Sequence, residues 1–190
     1  TWDELLALAQ RGLVAVACLP VDALMNFLML CVALGEAPND GDSARQFVSS
    51  ATGLAALEKL RELMAVCDPH CLQRNPIATF EAMAHSDDIA YCPFAYGYSN
   101  YARRGYAPYQ LKFGGLVELN GVRLRSTLGG TGFAISAQCK NLKAALEYSR
   151  FVASPFCQAG IYVQCGGQPA HRTAWLDEDA NRLSNNHFRD

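Results

Sequence analysis

The chain has 190 residues, 51% of them apolar and 18% charged; this excludes a disordered chain and allows a real core in one domain, or one and a part. Its 16 Lys and Arg against 18 Asp and Glu give a net charge of −2, so there is no broad electrostatic case for nucleic acid or an anionic membrane. The longest apolar stretch, Leu13 to Leu34, is broken by Pro20, Asp22 and Asn26, which argues against a spanning helix of about 20 apolar residues.

Taken in chain order, Thr1-Trp2-Asp3-Glu4 reads as a capping box opening a helix. Leu5, Leu6 and Ala9 mark its apolar face and Gly12 stops it. No initiator Met, basic leader or secretory apolar run precedes it, so the expectation is a processed chain or a piece of a longer one. Leu13 to Leu19, bounded by Gly12 and Pro20, predicts a buried strand. Pro20 opens the next helix, which runs to Leu34 with Gly35 as its stop. After a polar loop, Ser43 is expected to cap a helix to about Ala65, with a break near Gly53 and a stripe of Leu54, Leu57, Leu60 and Met64.

Pro76 opens another helix to about Ala84, and Asp87 to Cys92 suggests a strand. Further strands are expected at Leu111 to Phe113, Val117 to Leu119, Val122 to Arg125 and Gly132 to Ser136. Asn120-Gly121 supplies a hairpin turn, since both positions tolerate positive φ. Asn141 to Val152 predicts an amphipathic helix, Ser154-Pro155 a short one, and Gly166-Gly167-Gln168-Pro169 a turn before a helical tail from about Leu176. The alternation of helices and short strands predicts an α/β fold.

Several groupings invite chemistry. Cys67-Asp68-Pro69-His70-Cys71 offers three ligands where structural zinc needs about four, so a metal is disfavoured. A local disulfide between Cys67 and Cys71 stays open beside two plain buried thiols. A Cys nucleophile served by His70, His85, His171 or His187 would need a base and an orienting group, and no family signature surrounds any of the 8 cysteines. Asp87-Asp88 and Asp177-Glu178-Asp179 read as solvated loop and helix-start charges before they read as acid/base pairs. Gly129-Gly130-Thr131-Gly132 lacks the Lys-Ser/Thr of a phosphate loop and reads as a crossing or hinge.

Two stretches carry the binding expectation. Tyr91 to Tyr109 is dense in tyrosine, with Asn100, Arg103 and Arg104. Ring faces and amide or guanidinium tips suit a small, hydroxyl-rich ligand. RNA stacking is the weaker alternative without a wider basic surface, and an aromatic cluster that only closes the domain is the plain one. Gly166 to Trp175 is the second candidate, with Gln168, His171, Arg172 and Trp175 after two glycines. There a plain turn before a helix is the competing account.

The order of these pieces resembles the extracellular solute-binding proteins of ABC importers, in the group that carries sugars and polyols. The residues concerned are Thr1 to Ala9, Gly129 to Ser136, the helix from Asn141, Ser154-Pro155 with Gln158, and Gly166 to Pro169 leading to Ala174-Trp175. The resemblance implies one lobe of a two-lobed type II periplasmic-binding-protein fold, a mixed sheet with flanking helices. Residues 1–127 would form the lobe-two core. Residues 128–190 would be a return segment packed partly on a first lobe outside this chain, so that a fragment could swap between copies. It implies a periplasmic location, capture without catalysis, no cofactor or metal, and partners limited to a small polar ligand and the transporter's membrane subunits, with no nucleic acid. Tyr96, Tyr98, Asn100, Tyr101, Gly130, Gly167, Gln168 and Trp175 would line the ligand, with Arg103 and Arg172 as secondary candidates. The rival classes are a small thiol-dependent enzyme and an interaction domain without transport.

Overall fold

The computed structural model describes residues 1–38 and 47–189. About half of the chain is helical, and among the described residues the sheet content is one two-stranded antiparallel pair. The mixed sheet expected from the sequence is therefore corrected to an α-rich fold. The chain divides into two units, Thr1–Tyr96 with Gly115–Leu128, and Gly97–Gly114 with Gly129–Asp190.

The first unit begins with α1 (Trp2–Gln10). The Thr1 hydroxyl accepts from the Glu4 N–H at 3.4 Å and the Thr1 backbone nitrogen donates to the Glu4 carboxylate at 2.7 Å, closing the capping box. Trp2, Leu5 and Ala9 are buried on one face, and Gly12 leaves the helix at φ +76°. Segment 13–19 is buried and extended, yet it forms only one bridge, parallel, from Val14 to Tyr91. Its other backbone groups are met elsewhere. Val16 N–H donates to Cys71 Sγ at 3.3 Å, the Asn26 amide donates to Ala17 O at 2.9 Å, and Cys18 N–H donates to Arg74 O at 3.0 Å. Loops and side chains do the work a neighbouring strand would do.

α2 (Pro20–Ala33) starts on Pro20 and is released at Gly35, φ +97°. α3 (Ser50–Met64) is capped by Ser49, whose hydroxyl accepts from Thr52 N–H at 3.3 Å. The expected cap Ser43 lies outside the described residues. Gly53 sits inside α3 without a break. The buried face is Gly53, Ala56 and Leu63, whereas Leu54 and Leu57 are exposed. The expected stripe holds at Leu60 and Met64, which pack partly buried against the core, but not at Leu54 and Leu57, because small residues are what let α3 approach α2: a Cβ on Gly53 would stand 3.4 Å from Val48 and 3.9 Å from Phe27. A 3₁₀ turn, Pro69–Gln73, leads to α4 (Pro76–His85), where Asn75 Oδ1 accepts from Ala78 N–H at 2.8 Å. The hairpin β1 (Glu118–Leu119) and β2 (Val122–Arg123) turns through Asn120 and Gly121 at φ 52° and 76°. Trp2, Leu5, Val16, Leu30, Leu63, Phe94 and Leu119 form the core of this unit.

The second unit holds α5 (Leu142–Ala153), α6 (Pro155–Cys157) capped by Ser154, a π turn Gln158–Tyr162, α7 (Arg172–Leu176) and α8 (Glu178–Leu183) capped by Asp177. The expected strands at 111–113 and 132–136 are not formed, nor is the one at 87–92 beyond the Tyr91 bridge. An isolated strand cannot satisfy its backbone, and no described segment pairs with these. Tyr101, Cys157, Val163, Ala174 and Ala180 form a small core with the buried polar side chains of Gln158, Asn181 and Ser184.

Candidate functional site

Two places gather the residues singled out from the sequence, one in each unit. In the first unit, a cavity of about 20 Å³ lies at the start of α2 and is lined by Asp22, Asn26, Phe94, Tyr96, Ser126 and Thr127 among others. That volume holds about one water or one hydroxyl group. Asp22 is 9% exposed, and its Oδ2 is buried with no hydrogen-bond partner. Burial pushes its carboxyl above the ordinary carboxylate range. Asp22 and Asn26 stand four residues apart on one helical face. Both broke the apolar run that excluded a membrane helix, and that same interruption was the signal that a polar pair is buried here.

In the second unit the two candidate stretches meet. Ser99 N–H donates to Gln168 Oε1 at 2.9 Å, and the Arg103 guanidinium donates to Val163 O at 2.5 Å and to Gln164 O at 3.3 Å. Arg103 thereby ties down the chain leading into the 166–169 turn. Asn100 lies against that turn. A Cβ on Gly166, which has φ +88°, would stand 3.2 Å from Asn100 Oδ1. That oxygen is buried and has no hydrogen-bond partner.

The turn itself is built by Gln158 and Tyr162, which the sequence reading did not single out as a site, together with Gly167 and Trp175, which it did. Gln158 is buried and satisfied at both ends: its amide donates to Val152 O at 2.8 Å, and its Oε1 accepts from Ala170 N–H at 2.9 Å. Each such bond contributes about 1 kcal/mol. The Tyr162 ring covers Gly167, and Gly167 N–H donates to Tyr162 O at 2.7 Å. Trp175 is 46% exposed, and its indole N–H donates to Pro169 O at 2.6 Å.

The remaining predicted residues are dispersed. Tyr98 is half-buried just before Ser99. Tyr101 is buried with its ring edge-on to Tyr106, centroids 5.3 Å apart. Gly130 lies in exposed coil with nothing within 4 Å of an added Cβ. Tyr96 belongs to the first unit, and Arg172 is exposed at the start of α7.

The other groupings take structural roles. His70 Nδ1 lies 2.8 Å from Asp68, His85 Nδ1 lies 2.9 Å from Glu81 O, and His171 Nδ1 accepts from Thr173 N–H at 3.1 Å. His187 packs edge-on to Phe113. Asp88 accepts from the Ser86 hydroxyl at 2.6 Å, and Asp177 caps α8. Among the described residues, no group of three or more His, Cys, Asp or Glu is placed to hold a metal ion.

A larger recess of about 700 Å³ in the first unit lies between α1 and the 115–118 segment. Of the charged groups lining it, Glu4 meets the N-terminal ammonium at 2.7 Å and Arg123 meets Glu118 at 3.1 Å, while Arg11 lines it as well. Comparison of the chain with protein-family models finds no match, and neither does comparison with curated proteins or with solved structures.

Proposed function

We propose that this chain is the ligand-capturing lobe of an extracytoplasmic solute-binding protein that delivers a sugar, polyol or similar compact polar solute to an ABC transporter. The observation that carries the reading is the unpartnered, buried Asp22 Oδ2 in a hydroxyl-sized cavity beside Tyr96. A ligand hydroxyl is a donor of the right size for that acceptor, and a hydrogen bond to a charged group is worth about 1.5–3 kcal/mol. In the second unit, Asn100 Oδ1 is a further buried acceptor without a partner.

The fold is α-rich, and the finer assignment to a type II periplasmic-binding lobe belongs to this proposal. It is in keeping with the exposed apolar side chains that α5 carries, Leu142, Tyr148 and Phe151, which are 55%, 61% and 46% exposed. A second lobe would cover them. Capture proceeds without bond-making: ligand stabilises the closed state by binding it more tightly, and the transporter reads that state. Chemistry on the ligand, nucleic acid and cofactors have no part in this reading.

The test is calorimetric titration of the whole protein carrying this chain against monosaccharides, disaccharides and polyols. One of these is expected to bind, and Asp22→Ala is expected to weaken it roughly ten- to hundredfold, the equivalent of one charged hydrogen bond. Flat titrations across the panel refute the reading. Binding that survives Asp22→Ala undiminished removes its central contact.

A further inference from the structure

We propose that Cys67 and Cys71 are a disulfide-forming pair, closed by thiol–disulfide exchange with an external small-molecule disulfide. The two residues bracket the 3₁₀ turn Pro69–Gln73, with Cys67 before it and Cys71 within it. Asp68 holds that turn: its side chain accepts from His70 N–H at 2.9 Å, and its carbonyl accepts from Cys71 N–H at 2.9 Å. This local geometry sets the two thiols near enough for each to act on the other electrostatically. Both are free thiols here. Neighbouring thiols on one tight turn need a short closing movement to reach the S–S bond length of about 2.05 Å.

The surroundings divide the roles. Cys71 is fully buried, while Cys67 is 9% exposed, so an oxidant reaches Cys67 first. Cys71 Sγ accepts from Val16 N–H at 3.3 Å, and the Cys67 thiol acts on it from beside it. They favour its thiolate, and the Cys71 thiol is held below the ordinary range; the same interaction and burial push Cys67 up. The pair therefore shares one proton. Passing it from Cys67 to Cys71 frees the Cys67 thiolate to attack the external disulfide. A Cys67 mixed disulfide forms, and one external thiolate leaves and takes the proton from Cys71. The Cys71 thiolate then attacks Cys67 Sγ, breaks the mixed disulfide and expels the second external thiolate. The cysteine pair loses two electrons, and the external disulfide is reduced to one thiol and one thiolate.

Cys18 and Cys92 are competitors, since Cys18 lies close enough to interact electrostatically with both Cys67 and Cys71, and Cys92 with Cys71. Cys92 also donates to Phe94 O at 3.3 Å.

The experiment uses the 190-residue chain incubated with oxidised glutathione under native conditions, with residual thiols then blocked by iodoacetamide. Asp68-Pro69 is the single Asp-Pro bond in the chain and lies between the two cysteines. Mild acid cleaves it. Fragments 1–68 and 69–190 are expected to stay joined without reductant, and to separate with it, in the wild type and in Cys18→Ser. In Cys71→Ser the reaction is expected to stop at a glutathione adduct on Cys67. Fragments of the wild type that separate without reductant overturn the proposal. So do fragments that stay joined in the wild type but separate in Cys18→Ser, which would assign the bond to Cys18. Both outcomes are read on chains that keep Cys67 and Cys71, so a misfolded Cys71→Ser variant does not shield the idea, and neither depends on solute binding.

Discussion

Replacing Gly167 with alanine tests how the 166–169 turn is held. The added Cβ would lie 2.5 Å from Tyr162 Cδ1, 2.6 Å from Cε1 and 2.8 Å from Cγ. Carbon atoms rest about 3.5–4.0 Å apart, so the overlap is on the order of 1 Å at three ring atoms. Because Cγ itself is too close, spinning the ring does not relieve it; the whole side chain must swing away. The backbone offers little slack, since Gly167 N–H is bonded to Tyr162 O at 2.7 Å. Overpacking of this kind costs about 1–3 kcal/mol. The turn also carries Gln168, which meets Ser99, and Pro169 O, which accepts from the Trp175 indole. Trp175 is thus a built-in reporter of the second unit, and the other tryptophan, Trp2, is in the first. In a Trp2→Phe background, urea unfolding followed by Trp175 fluorescence is expected to show the midpoint falling with unchanged slope. Adding Tyr162→Ala removes the clash, so the double variant should lose less than the sum of the singles. A Gly167→Ala midpoint equal to that of glycine, with Tyr162 intact, refutes the reasoning.

Two more predictions follow from burial. His187 is packed against Phe113 and Phe188, with its Nδ1 buried and unpartnered, and desolvation lowers its pKa. Protonation therefore favours the unfolded form. The stability of the second unit should be full above the unfolded histidine value of about 6.5 and fall as pH drops below it; His187→Gln should flatten that part of the pH profile, and an unchanged slope would count against it. In α3, Ala56→Leu forces bulk into the α2 contact and should cost about 1–3 kcal/mol in urea unfolding, whereas Leu57→Gln on the exposed side should stay within about 0.5 kcal/mol; the opposite ranking would restore the stripe expected from the sequence.

Local chemistry was legible wherever one residue type suits one backbone need. The capping box at Thr1, Pro20 at a first turn, positive φ at Gly12, Gly35 and Asn120-Gly121, and the Asn141 and Ser154 caps follow from groups within about four residues of each other. The α3 face was legible only in part, because hydrophobicity marks Leu54 and Leu57 while close helix approach selects Gly53 and Ala56. The candidate site was half legible. Tyr96, Asn100 and Gln168 stood out by type, but Asp22 looked only like a break in an apolar run. Its burial depends on residues 94–96 and 126–127, far away in sequence.

Segment 13–19 and helix α5 expose the limit of pattern reading from opposite sides. Val14 to Cys18 are as buried as a central strand should be. Their backbone groups nonetheless go to a cysteine sulfur, an asparagine amide and the Arg74 carbonyl, because burial demands satisfaction and is indifferent to its source. Apolar runs thus predict burial better than they predict a ladder. α5 has the reverse history. Its periodicity is as expected, yet none of its residues is buried. A lone helix of 12 residues is marginal in water, and the Asn141 and Ser154 caps with half-buried Ala145, Ser149 and Val152 supply only part of the missing stability. Burying a side chain the size of Leu or Phe is worth about 1.5–3 kcal/mol. Leu142, Leu146, Tyr148 and Phe151 forgo much of that here. A surface laid along one side would recover part of it, and on the reading proposed above that surface is the second lobe.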